Sequence, residues 1–128
     1  MKILVAEDSL MNQMVTRRQL ARLGYAATMV SNGLHAVVAV LAGQFEVVLM
    51  DGQMPECDGF EATRRIRAAS GAPARLWIIA LTAGVGAADR EEARNAGMND
   101  YLSKPLRPEA LEAALARAFA ANHAPAGV

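Results

Sequence analysis

The stretch Val47-Val48-Leu49-Met50-Asp51-Gly52-Gln53-Met54-Pro55 decides the fold of this chain. Four consecutive apolar residues followed by an acid and a turn are typical of a short strand buried on both faces. Three other apolar runs also lead into polar residues, namely Ile3–Ala6 before Glu7-Asp8, Leu76–Leu81 before Thr82, and Tyr101–Ser103 before Lys104-Pro105. Strands of this kind indicate a parallel sheet that is covered by helices on both faces.

Helical patterns alternate with the apolar runs and give five strand–helix units. Helices are expected at about 10–23, 33–42, 60–68 and 87–96, and from Pro108 onward. This alternation predicts an α/β fold, a doubly wound, flavodoxin-like (βα)5 sandwich whose five-stranded parallel sheet has the order 2-1-3-4-5. Residues 1–121 are expected to form this single domain, and residues 122–128 a disordered tail.

The sequence also predicts how three of the helices pack. In the second, Leu34, Val37, Val38 and Leu41 have the spacing of an inward face. The inward face of the fourth helix contains only alanines. We expect this helix to pack weakly, because an alanine side chain contributes little hydrophobic stabilisation. On the third helix, the arginines of the segment 64–67 are expected to lie on a solvated face.

The composition excludes several classes of function. The 13 basic and 13 acidic residues balance, which argues against a nucleic-acid partner, since such domains usually carry a basic face. No apolar stretch approaches the roughly 18 residues of a membrane span. Cys57 is the only cysteine, so no internal disulfide can form and a reducing compartment is expected. We therefore predict a cytoplasmic domain with no membrane partner, present as a monomer or weak dimer.

Three carboxylates are expected to meet at one end of the sheet. In the order 2-1-3-4-5 the first and third strands are neighbours, and they end in Glu7-Asp8 and Asp51. Crowded carboxylates repel one another, and a divalent cation removes that cost. Oxygen ligands with an incomplete protein shell favour Mg²⁺. The alternative for Glu7 and Asp8 is that they only cap the first helix.

Three other residues at the same end of the sheet suit phosphorus chemistry. Asp51 could act as a covalent nucleophile toward phosphorus, or be a strand-end turn residue. Lys104 could present its charge to phosphoryl oxygens, aimed by a cis bond to Pro105, or be an exposed loop lysine. Thr82, followed by the small Ala83-Gly84, could donate one hydrogen bond to a phosphoryl oxygen, or cap a helix.

Four pieces of sequence carry a resemblance to one family. They are Val5–Asp8, Met50–Pro55 with Asp58-Gly59, Ala80–Ala83, and Gly97–Pro105. In this order and at this spacing they resemble the receiver domain of two-component response regulators, from about Lys2 to Phe119. Asn12-Gln13 and Gly97–Tyr101 are similar to the receivers attached to hybrid histidine kinases.

The resemblance implies a phosphorelay switch with Mg²⁺ as its cofactor. Asp51 would accept a phosphoryl group from the phosphohistidine of a histidine kinase or histidine phosphotransfer domain. Asp8, Asp51 and the backbone carbonyl of Gln53 would bind the metal directly. Glu7, which replaces the commoner Asp, would bind it through a water.

The resemblance also implies roles on the output side. Lys104 would pair with the phosphoryl group, and Thr82 would donate a hydrogen bond to it after transfer. Tyr101 would follow Thr82 as the second switch residue, although it could equally be a half-exposed strand aromatic. The change would reach the face formed by the fourth helix and fifth strand. The domain would then be no enzyme beyond catalysing its own phosphorylation and dephosphorylation, whether or not it comes from a hybrid histidine kinase.

Two other functions suit a chain of this topology. A small Mg²⁺-dependent aspartyl phosphatase would resemble a pattern with a second Asp two residues after the nucleophile, where this chain has Gln53. A flavin-binding domain would need a hydroxyl- and glycine-rich loop after the first strand. Glu7-Asp8 would instead repel the flavin phosphate. The kinase partner, the stimulus and the output stay open.

Overall fold

The computed structural model describes residues 2–43, 45–69, 71, 76–83 and 87–122. Strands and helices alternate along the described chain, in the order β1 Ile3–Ala6, α1 Leu10–Arg22, β2 Ala27–Val30, α2 Gly33–Ala42, β3 Val47–Asp51, α3 Gly59–Ala68, β4 Trp77–Thr82, α4 Ala87–Ala96, β5 Asp100–Ser103 and α5 Pro108–Asn122. The predicted alternation is confirmed. Helix α5 extends one residue past the predicted domain boundary, and 123–128 lie outside the described residues.

The five strands form one parallel sheet in the order β2-β1-β3-β4-β5, which confirms the predicted fold class. Strands β1, β3 and β4 lie in the centre, and nearly all of their residues are buried. Burial on both faces explains why these strands read as continuous apolar runs.

Alternate residues of the strands face two separate apolar cores. One core lies under α2, α3 and α4 and contains Leu4, Ala6, Val48, Met50, Ile78 and Ala80 from the sheet. The other lies under α1 and α5 and contains Ile3, Val5, Val47, Leu49, Ile79 and Leu81. The two helix layers are those of a doubly wound sheet.

Side-chain caps fix the beginnings of three helices at one end of the sheet. Ser9, Asn32 and Asp58 each accept a hydrogen bond from the backbone N–H three residues later, at 3.3, 2.8 and 2.8 Å. Such caps satisfy donors that a helix leaves unpaired in its first turn. They set where α1, α2 and α3 begin, and so where the loops that follow β1 and β3 end.

The predicted inward face of α2 is wrong for three of its four residues, whereas Val37 is half-buried and packs against the core under α2, α3 and α4. Leu34, Val38 and Leu41 are 37%, 65% and 56% exposed, whereas α2 buries Gly33, Ala36 and Val40. The reason is a close approach, because a Cβ at Gly33 would overlap the carbonyl oxygen of Cys57 in the loop between β3 and α3. A helix packed this closely must turn its small residues inward. Leu34, Val38 and Leu41 therefore do not anchor α2.

The prediction that the arginines of α3 are solvated holds for two of the three. Arg64 and Arg65 pair with Glu61 at the surface. Arg67 instead reaches the loop between α4 and β5, where it donates to the carbonyl of Gly97 at 2.8 Å and the side chain of Asn99 at 2.6 Å. Burial lowers the pKa of its guanidinium from the ordinary value. Arg67 thus ties the C-terminal end of α4 to α3.

Helix α4 is as weakly packed as its sequence predicts. Of its residues with described side chains, only Ala93 and Ala96 are buried. Within the part of the chain that the structure describes, no helix has the length and apolar character needed to cross a membrane.

Candidate functional site

The register of the sheet brings the predicted site residues to one edge. Ala6 pairs with Met50, so Glu7 and Asp51 follow side by side. Asp51 pairs with Leu81, just before Thr82, and Thr82 pairs with Ser103. Because all the strands are parallel, their carboxyl ends open into a single crevice.

Lys104 lies between two acids of this crevice. Its Nζ donates to Asp51 Oδ2 at 2.8 Å and to Glu7 Oε1 at 3.2 Å. Burial acts to lower the pKa of Lys104, but hydrogen bonds and charge attraction from Asp51 and Glu7 outweigh it, so the pKa is raised. Lys104 therefore stays protonated at neutral pH. The peptide bond from Lys104 to Pro105 is cis.

The backbone around Asp51 holds its carboxylate in place. The N–H of Gln53 donates to Asp51 Oδ1 at 3.1 Å, so each carboxylate oxygen has one donor. A Cβ at Gly59 would overlap the carbonyl oxygen of Asp51, so only glycine fits at the beginning of α3. The loop from 52 to 58 is thereby closed tightly against the end of β3.

Glu7 is buried, and one of its oxygens has no partner. The side chain is 1% exposed, and Oε2 lacks a hydrogen bond from any described residue. Burial and, after it, the neighbouring Asp51 raise the pKa of Glu7 above its ordinary value of 4.5, against the opposing effect of Lys104. A buried acceptor without a donor is costly unless a water or an ion binds it.

The three predicted carboxylates are close enough to share one cation. Oxygen atoms of Glu7, Asp8 and Asp51 all lie within 4.8 Å of one another. Asp8 is exposed, whereas Glu7 and Asp51 are buried. Hard oxygen donors, one of them without a partner, fit a divalent cation such as Mg²⁺.

These residues line a cavity of about 610 Å³ that also contains Thr82, which is 7% exposed. Sequence reasoning missed four of the lining residues, Asn12, Phe60, Asp89 and Glu92. Asp89 and Glu92 stand three residues apart on α4, which is the spacing of neighbours on one helix face. The sequence therefore indicates that Asp89 and Glu92 share one face of α4, but only the fold shows that this face lies at the cavity.

The second predicted switch residue lies on β5, where it pairs with Ala80 of β4. Tyr101 is half-buried and packs against the core under α2, α3 and α4. The guanidinium carbon of Arg90 lies 4.4 Å from the centre of its ring, a cation–π contact. This contact joins α4 to β5. Gly84, two residues after Thr82 in the sequence, lies outside the described residues.

Comparison with known proteins matches residues 3–116 to a family described as the response regulator receiver domain. The chain belongs to this family. The receiver domain resembles the hybrid signal transduction histidine kinases B and H of Dictyostelium discoideum, at 39% identity over 116 residues and 42% over 123. These matches include 83% and 93% of this chain. The chain spans only 6% and 9% of the lengths of the two kinases.

Two solved structures extend the comparison. The receiver domain of the sensor histidine kinase PA1611 from Pseudomonas aeruginosa PAO1, with a magnesium ion coordinated in its active site cleft, is 43% identical with a TM-score of 0.84. The match covers 91% of this receiver domain and 94% of that one. The receiver domain of the Saccharomyces cerevisiae response regulator Ssk1, solved with the phosphotransfer protein Ypd1, is 32% identical with a TM-score of 0.79. That match covers 88% and 83% of the two chains.

Proposed function

We propose that this receiver domain is a phosphoacceptor switch in which Asp51 takes a phosphoryl group from a phosphohistidine. The observation that carries the proposal is the position of Lys104, which contacts Asp51 and Glu7 within a cluster of three carboxylates. A structural ion pair needs one acid and one base. This site has two buried acids and a third nearby, which is more than one lysine needs. The three carboxylates suit a cation, and Lys104 suits an anion.

The reaction we propose uses groups that are already held in place. Asp51 attacks phosphorus, the new bond joins its carboxylate oxygen to phosphorus, and the phosphorus–nitrogen bond breaks with its electron pair left on the imidazole. Glu7, Asp8, Asp51 and the carbonyl of Gln53 would hold Mg²⁺, which supplies positive charge to the transferring group. Lys104 supplies a second positive charge to the same oxygens.

The output side of the proposal involves the two switch residues. The hydroxyl of Thr82 donates to a phosphoryl oxygen after transfer, and Tyr101 then moves toward the space that Thr82 leaves. Weakly packed α4 shifts with them, because a segment with few buried apolar contacts opens at little cost. A local change of charge would in this way bias a two-state element.

The partner we propose is a histidine kinase or histidine phosphotransfer domain. Helix α1 exposes four neighbouring apolar side chains beside the cavity, Leu10, Met11, Met14 and Val15, at 75%, 74%, 65% and 45%. Exposed apolar patches mark contact surfaces for other proteins. The yeast receiver domain named above was solved with a histidine phosphotransfer protein, which accords with this choice.

The catalytic scope we propose is narrow. The domain catalyses only its own phosphorylation and dephosphorylation, and it is compatible with a place within a hybrid histidine kinase, as in its relatives. We also place it in the cytoplasm, where the single thiol of Cys57 stays reduced.

The metal site predicts a thermal response. Millimolar Mg²⁺ should raise the melting temperature, because a ligand that binds only the folded state stabilises it, by about 2.7 kcal/mol at a hundred times its Kd. Since burial and the neighbouring Asp51 raise the pKa of Glu7, protons compete with the metal for its carboxylate at a higher pH than they would for an ordinary glutamate. The shift should therefore be smaller at about pH 5 than at about pH 7.5. Differential scanning fluorimetry measures both. Asp8→Asn should remove most of the response, and an equal response in that variant would contradict the site.

The test of the function is covalent labelling. With Mg²⁺ and a small phosphodonor, the protein should gain one phosphoryl group that is sensitive to hydroxylamine, as an acyl phosphate is. Peptide mapping should place it on Asp51. A label on His35, or on any serine, would overturn the proposed mechanism.

A further inference from the structure

We propose that two carboxylates of α4, Asp89 and Glu92, select the phosphodonor by repelling small free anions from the cavity that holds Asp51. The proposal rests on the proposed function and deepens it. Asp89 and Glu92 thereby bias the receiver domain toward a phosphoryl group delivered by a protein partner.

The geometry places both side chains at the cavity. Asp89 and Glu92 line the same space as Asp51 and Lys104, and Glu92 also lines the adjoining surface depression next to Asp8. Asp89 is half-buried and Glu92 exposed, so neither pays the desolvation cost of deep burial. Neither forms an ion pair with any residue in the described ranges. Their charges therefore act on whatever enters the cavity.

The cation nearest to them on α4 is turned elsewhere. Arg90, between Asp89 and Glu92 in sequence, lies over the ring of Tyr101. Helix α4 thus presents acids to the cavity and an arginine to β5. This arrangement separates the charges around the circumference of α4 and leaves its two acids on the side of the cavity.

A second observation points to a ligand in this cavity. Glu7 Oε2 is buried and has no hydrogen bond from a described residue, and Glu7 lines the cavity with the two acids of α4. The cation of the proposed site, acting through the water that Glu7 would bind, would satisfy this oxygen. A divalent cation and Lys104 would together carry fewer charges than the five carboxylates at the cavity, so the net charge of these groups would stay negative with the metal bound.

The field of this negative charge distinguishes donors by charge. Acetyl phosphate is doubly negative at neutral pH, so its approach is opposed. Phosphoramidate has one net negative charge and is opposed less. In both reactions an Asp51 oxygen forms the new bond to phosphorus. The bond to the leaving group breaks with its electron pair left on acetate or, with a proton, on ammonia. A cleft lined by charges of one sign changes the association rates of charged ligands by about 10- to 1,000-fold, depending on the charges.

The experiment compares Asp89→Asn/Glu92→Gln with the wild type, using acetyl phosphate and phosphoramidate. Labelling rates are measured by intact mass spectrometry, at an Mg²⁺ concentration shown to saturate each protein. We expect the double variant to react about tenfold faster with acetyl phosphate and markedly less than that with phosphoramidate. Added salt should accelerate the wild type with acetyl phosphate, because it screens repulsion, and should affect the double variant less.

The matched control is Glu91→Gln/Glu109→Gln, which removes the same net charge from positions that do not line the cavity. Its rates and salt dependence should equal those of the wild type. Equal acceleration in the control would overturn the inference, since the effect would then come from the net charge of the protein. An equal gain in rate with both donors would also overturn it, since the substitutions would then act by changing the space in the cavity. If neither donor labels the wild type, the proposed function itself fails. If both label it and the double variant is unchanged, only the inference fails.

Discussion

Asp51→Asn should abolish phosphoryl uptake completely. The amide oxygen is a far weaker nucleophile than a carboxylate, and no other acid is held between the N–H of Gln53 and the Nζ of Lys104. Glu7 shares Lys104, but its carboxylate receives no backbone N–H of the kind that Gln53 donates to Asp51 among the described residues. Intact mass spectrometry with acetyl phosphate and saturating Mg²⁺ measures the loss directly.

The matched control is Asp58→Asn. Asp58 is an acid of the same loop, and its side chain caps α3 by accepting from the N–H of Glu61. Asparagine caps helices as well as aspartate does, so the fold should be unaffected. This variant should be labelled at the wild-type rate. Label remaining on the Asp51→Asn protein would show that another residue is the acceptor.

Lys104→Met should slow the labelling of Asp51 by about 100-fold, which is what the loss of one positioned charge donor typically costs a transition state. The same variant should bind Mg²⁺ more tightly, because the metal no longer competes with a cation 2.8 Å from Asp51 and 3.2 Å from Glu7. Rate and metal affinity should therefore move in opposite directions. Labelling reactions quenched at successive times give the rate. The dependence of the melting temperature on Mg²⁺ concentration gives the metal affinity.

Stability in metal-free buffer should fall in the same variant. Removing the partner of a buried ion pair costs about 3–5 kcal/mol, and about 2 kcal/mol is expected here because the Lys104 side chain is 28% exposed. Lys2→Met makes the same change at an exposed residue beside β1 and should leave all three quantities unaltered. A Lys104→Met protein that binds Mg²⁺ less tightly would mean that the lysine supports the metal rather than competes with it.

The sequence determined the architecture and the identities of the main site residues. Apolar runs such as Val47–Met50 are typical of strands buried on both faces, and their alternation with helices favours a parallel sheet. A parallel sheet gathers all its carboxyl strand ends at one edge. Glu7, Asp51 and Lys104 therefore had to meet there, as their contacts show.

Only the tertiary structure decided which helix faces turn inward and what they contact. Periodicity favoured Leu34, Val38 and Leu41 as the buried side of α2, but the close approach of Gly33 to the loop after β3 reversed that choice. The contacts of long polar side chains were likewise decided only by the tertiary structure. Arg67 looked like one of a solvated set, and its partners Gly97 and Asn99 lie 30 and 32 residues away.

The acids of α4 show the same limit. Nothing in the sequence separates Asp89 and Glu92 from the other charged residues of α4, and only the packed structure places them at the cavity. Local pattern fixes secondary structure because it depends on neighbours three or four residues away. Contacts between distant segments depend on backbone approach and side-chain volume, and those are settled only when the layers pack against the sheet.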